Sequence, residues 1–141
     1  MADLTITASQ VLPDTTGDIF RGTSGATVTA GQTVYLDTST NLIKLADANA
    51  SALTAVTMGI ALHAALTGQP LAVQRRGTPT LGAGAAPAVG TIYIQSATAG
   101  GIAPAADLAT GYYATIVGVG TTGNKLTMPS GGPFVSGQVV P

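Results

Sequence analysis

The chain has 141 residues, with five Lys/Arg, six acidic residues and no cysteine. Charged residues make up 8% of it, against about 25% in an average soluble domain. The missing cysteine excludes thiolate nucleophiles and cysteine-type zinc sites, and a net charge of −1 argues against a nucleic-acid partner, which demands a basic patch.

The N-terminal stretch MADLTITASQ shows no basic region followed by an apolar run, so no signal peptide is expected. Within it LTIT (4–7) alternates as a strand does, on an otherwise loose arm over residues 1–21. TVYL (33–36) and LIKL (42–45) alternate too, and the polar loop DTSTN between them has hairpin length, which predicts an antiparallel pair. Residues 47–56, DANASALTAV, are the one expected helix, capped by Asp47 or Asn49. Residues 52–66 form the most apolar window, shorter than the ~20 residues of a spanning helix and interrupted by Gly59 and His63, so no membrane segment is expected.

Further strands are predicted at MGIAL (58–62), PLAVQ (70–74), TPTL (78–81), TIYIQ (91–95), GIAPA (101–105), YYATIVGV (112–119) and NKLTM (124–128). GAGAAPAVG (82–90) reads as a loop, and 129–141 as an extended tail that holds on by Phe134 and its valines. The expected fold is therefore all-β: a small barrel or sandwich of about ten short strands with one short helix and extended N- and C-terminal arms. The expected division is an arm over 1–21, a β-rich core over 22–128 and a tail over 129–141.

The core sequence echoes itself. Gly31, then Val34-Tyr35-Leu36, then Gly59 is answered by Gly90, then Ile92-Tyr93-Ile94, then Gly118, with the same glycine spacing. A glycine opens each turn, and a second interrupts a later strand. Matching the tyrosines, the echo predicts two related β-units, about 27–62 and 87–120, each with its ring on one face and its aliphatics on the other.

Motifs for chemistry fail on context. GVGTTG (118–123) fits the dinucleotide pattern G-x-G-x-x-G, but NKLTMPSGGP after it starts no helix to receive a pyrophosphate and carries no acid. A glycine hairpin with Gly123-Asn124 in the turn fits better. His63 is the lone histidine and has no second histidine for a zinc set, so a structural role is expected. The six Asp are scattered, with Asp14, Asp18 and Arg21 close enough in sequence for a local cluster. Arg75-Arg76 sits at a strand end, either as a solvated turn or as a contact for an acidic neighbour, a role that suits the planar guanidinium. No cofactor is expected. A surface poor in charge either coats a monomer with Thr, Ser and Gly or is buried against partners, where it avoids the several kcal/mol that desolvating each ion costs.

GATVTAGQTVYLD, LADA (45–48), GIAL (59–62) and GQPLAVQRRG (68–77) together resemble the capsid decoration, or cement, proteins of tailed bacteriophages, over roughly residues 22 to 120. The resemblance implies a β-rich protein with no active site, made in the host cytoplasm. It would bind the outside of an icosahedral head after expansion and reinforce it, often as a trimer, with the major capsid protein and its own copies as partners. On that basis Leu4, Ile6, Arg21, Arg75, Arg76 and Phe134 are the expected shell or subunit contacts, Leu4 and Ile6 by docking from an added strand. A fibre or carbohydrate-binding module of the virion is the alternative, disfavoured by the absence of Trp and an aromatic content of 4%.

Overall fold

The computed structural model describes residues 3–141. Almost all regular structure is β, in ten strands: β1 (Asp18–Thr23), β2 (Thr33–Asp37), β3 (Leu42–Leu45), β4 (Gly59–Ala61), β5 (Pro70–Arg76), β6 (Ile92–Gln95), β7 (Ile102–Pro104), β8 (Tyr113–Thr121), β9 (Lys125–Thr127) and β10 (Phe134–Val139). They form two antiparallel five-stranded sheets, ordered β1-β5-β4-β2-β3 and β10-β8-β6-β7, with β9 also on β8. Short 3-10 turns at Ala8–Gln10 and Ala105–Asp107 are the only helical elements among the described residues.

The expected hairpin forms, with Val34 opposite Leu45 and Leu36 opposite Ile43. Ser24 then bridges to Ile43, and the Gly25 N–H donates to the Ile43 carbonyl at 2.7 Å, so the first sheet curls until its outer strands meet. Inside the curl Val34, Ile43, Ala61, Leu71 and Val73 pack with Val28 and Ala65. A second cluster gathers Ile60, Leu81, Tyr93, Ile102, Val117, Leu126 and Met128. Each aliphatic side chain so buried contributes on the order of 1.5–3 kcal/mol.

The two units share one register, fifty-nine residues apart, as Gly31 and Gly90 are. Thr33 faces Ile60 and Val34 faces Gly59; Ile92 faces Val119 and Tyr93 faces Gly118. The Gly31 N–H donates to Ala61 O and the Gly90 N–H to Gly120 O, both at 2.8 Å, and Gly31 and Gly90 have positive φ (91° and 82°). A Cβ at Gly59 would strike the Gln74 carbonyl, and one at Gly118 would sit 2.6 Å from the Thr127 carbonyl, so both glycines admit a neighbouring backbone.

Glycine spacing and tyrosine spacing therefore disagree by one residue, and the glycines set the register. Since a one-residue slip reverses every side chain, the units have opposite faces. Val34 points into the first cluster and Tyr35 to the opposite face; Tyr93 points into the second cluster, and Ile92 and Ile94 to the opposite face, where Ile92 is exposed while Ile94, like Tyr35, is buried.

Three expected elements differ. Residues 47–56 make turns, not a helix. The Asp47 carboxylate accepts the Asn49 N–H, and the Thr54 hydroxyl donates to the Asp47 carbonyl, side-chain bonds that compete with a helical ladder. LTIT forms no strand, although the Leu4 N–H donates to Ile102 O at 2.8 Å. TPTL makes only isolated bridges, from Thr80 to Leu12 and to Lys125. The ends are also more involved than arms: Asp18–Thr23 pairs along β5, and Phe134–Val139 pairs with β8.

Candidate interaction surface

The expected contact residues separate into three places. Leu4 and Ile6, expected to dock on a neighbour, are instead partly buried against the second core cluster of their own chain. A segment of alternating Leu and Ile satisfies a core as well as a partner, and the nearest apolar surface is its own.

Arg75 and Arg76 are drawn together by a bulge where Asp18 faces Arg76 and Ile19 faces Gln74. The Asp18 carboxylate accepts from both, with Oδ2 at 2.6 Å from Arg75 and 3.1 Å from Arg76, and the Arg75 guanidinium lies 5.2 Å from the Phe20 ring centre. These hydrogen bonds, Arg75 foremost, hold the Asp18 carboxyl below its ordinary value. Asp14 is lowered by the Thr16 hydroxyl and the Thr78 N–H. The expected Asp14–Asp18–Arg21 cluster does not form: Arg21 is exposed opposite Ala72 and makes no ion pair among the described residues. The other ion pair among the described residues joins Lys44 to Asp37 at 2.7 Å; with Ser39 it depresses the Asp37 carboxyl strongly, and it raises Lys44.

Phe134 stands on the outward face of the second sheet, 62% exposed. It lies opposite Ile116, which lies opposite Ile94. Directly opposed residues share a face, so Ile94, Ile116 and Phe134 form one row, with Ile92 and Val119 in the next. β6, β7, β8 and β10 contain no charged residue. Beyond Phe134, β10 has no strand on its outer edge among the described residues.

Sequence reasoning missed two buried glutamines. Gln74 accepts the Asp14 N–H at 3.0 Å and donates to the Asp14 carbonyl, tying the N-terminal segment to β5. Gln95 accepts the Thr57 hydroxyl and donates to Ala46 O at 3.0 Å, joining the units. Each is the polar residue at the end of an apolar run, PLAVQ and TIYIQ, which is the signal that could have singled it out.

His63 accepts the Ala72 N–H at Nε2 (3.0 Å) and donates from Nδ1 to the Ala64 carbonyl (2.9 Å), which together require the proton on Nδ1. Both ring nitrogens thus brace the β4–β5 turn. A cavity of about 500 Å³ lies over Ile94 and Ala103, with Asp3, Asp107 and Tyr112 in its wall. Among the described residues its lining includes no histidine and no cation, and in its wall the Ser96 hydroxyl donates to the Asp3 carboxylate at 2.8 Å. GVGTTG is split between β8 and its hairpin, where Gly123 and Asn124 both have positive φ (82° and 60°). No helix is long and apolar enough to cross a membrane, and no group of three or more His, Asp or Glu could hold a metal, among the described residues. Compared with known proteins, the chain matches no family model and no curated protein.

Proposed function

We propose that this chain is a structural, non-enzymatic decoration protein of an icosahedral phage head. Made in the host cytoplasm, it binds the outer surface as a homotrimer and stabilises the shell through the major capsid protein. The observation that carries this reading is the exposed apolar group on the outward face of the second sheet, Ile92 and Phe134, beside the open edge of β10. Such a group is covered without desolvating an ion, and an open edge accepts a further strand. The two ion-pair groups, Asp18 with Arg75 and Arg76, and Asp37 with Lys44, lie on the first sheet.

The test is cosedimentation with expanded heads that lack the protein. Saturable binding that survives added salt is expected, because screening weakens exposed charge pairs far more than apolar contacts. Failure to bind heads, or loss of binding at modest salt, overturns the reading.

A further inference from the structure

We infer that the cavity over Ile94 and Ala103 receives the side chain of a lysine presented by a partner protein. The two units of this chain supply the comparison. Fifty-nine residues before Ile94 and Ala103 stand Tyr35 and Lys44, and each pair is directly opposed across its hairpin. Directly opposed residues share a face. In the first unit that place is filled: Tyr35 is buried, and the Lys44 ammonium meets the Asp37 carboxylate at 2.7 Å. In the second unit Ala103 holds the lysine's place, and a cavity of about 500 Å³ opens over it.

The anionic half of the pair is kept. Ser96 stands where Asp37 does and builds the same turn. The Thr98 N–H donates to the Ser96 hydroxyl at 3.0 Å, as the Ser39 N–H donates to the Asp37 carboxylate. The proton of that hydroxyl goes to Asp3, 2.8 Å from each carboxylate oxygen. Gly101, in the place of Leu42, leaves room for it: a Cβ there would lie 2.5 Å from Asp3 Oδ2. Asp107 and Tyr112 complete the wall, whose described residues include no Lys, Arg or His. The second unit thus gains a carboxylate and lacks the ammonium that pairs with it in the first.

Charge and the neighbouring surface select the occupant. A neutral group closing the cavity would strip water from the carboxylates without return, whereas an ammonium pairs with them. The four-carbon stem of a lysine lies against Ile94 and Ala103, as long charged side chains cover apolar surface. Ile116 stands opposite Ile94, and the exposed Phe134 opposite Ile116, so the chain that presents the lysine meets apolar surface beside the cavity. A free amine would leave that surface uncovered. The inference names a side chain and does not rest on the decoration reading.

Titration of the full chain with the tripeptide acetyl-Leu-Lys-Leu-amide, followed by amide NMR shifts, tests it. Saturable shifts at Ser96, Ala103 and Tyr112 are expected, with a Kd on the order of 1 mM. The same peptide acetylated on its lysine amine should bind about tenfold more weakly, for want of one charge pair. Ala103→Lys restores in the second unit the lysine of the first and should abolish binding, and Asp3→Asn should weaken it about tenfold. Absent shifts, equal binding of the acetylated peptide, or undiminished binding by folded Ala103→Lys overturns the inference. Binding of n-butylamine as tight as that of the tripeptide also overturns it, since the occupant is then a free amine. The peptide comparison uses wild type, so it decides even if a variant misfolds. Head binding by cosedimentation is scored separately: heads bound without a lysine site sink this inference alone, and a lysine site without head binding sinks the decoration reading alone.

Discussion

Asp37 shows how a chain with few charges uses them. Its carboxylate accepts from Lys44 and Ser39, and its pKa lies well below the ordinary value. A depressed carboxylate stabilises the fold above its unfolded pKa, and the contribution disappears as pH falls through the folded value. Asp14 and Asp18 are shifted the same way. The urea midpoint should therefore be flat near neutrality and fall below about pH 4, the unfolded aspartate value. Asp37→Asn should lower the neutral plateau and shallow the acid limb; an unchanged limb would assign it to other groups. Glycine makes the second residue-scale prediction. Gly118→Ala pushes a methyl against the Thr127 carbonyl and the Leu126 side chain, and should cost about 1–3 kcal/mol in urea unfolding. Gly90→Ala meets no atom but keeps a positive φ, so its cost is conformational, about 1–2 kcal/mol. Equal stability of either variant with wild type would refute the assigned role.

At the scale of elements, the N-terminal segment is part of the core and not a free arm. Leu4 and Ile6 pack beside Leu81, Tyr93 and Ile102, and the Leu4 N–H reaches β7. The double change Leu4→Ala and Ile6→Ala should lower stability by about 2–4 kcal/mol, since both side chains are only partly buried. A thermal melt matching wild type, with shell binding lost, would restore the docking role. Most strands were legible because TVYL, LIKL, PLAVQ and TIYIQ combine alternation with turn residues at their ends. The helix over 47–56 was misread because Ser51 and Thr54 bond each other and Asp47, a preference that apolar spacing does not express. The β1 strand was missed because Asp18 and Arg21 give DIFRGT the look of a solvated arm, and its partners on β5 lie far along the chain, from Arg76 opposite Asp18 to Pro70 opposite Thr23.

Across the whole molecule, both ion-pair groups lie on the first sheet, and Ile92 and Phe134 are exposed on the outside of the second. His63 belongs to the first sheet's turn, where it braces backbone groups. His63→Ala should leave shell binding unchanged with a small loss of stability, near the 0.5–1.5 kcal/mol of an ordinary hydrogen bond, about 1 kcal/mol. Abolished binding in a folded variant would move the site to the β4–β5 turn. Phe134 was legible as a contact candidate because an aromatic in a polar tail has little else to do. The exposure of Ile92 was not, because it looks like a core residue until register decides which way it points.

The sequence by itself determined that this chain is almost entirely β, where its tight turns fall, and that its centre contains an echo, because alternation, glycine and turn chemistry are local. Only the tertiary structure decided which echo counts. The glycine pairings that admit a neighbouring backbone fix a register one residue away from the tyrosine match. That single step sends one unit's aliphatics into its core cluster and the other's to the opposite face. Orientation relative to a core is a property of long-range pairing, and no short window of residues contains it.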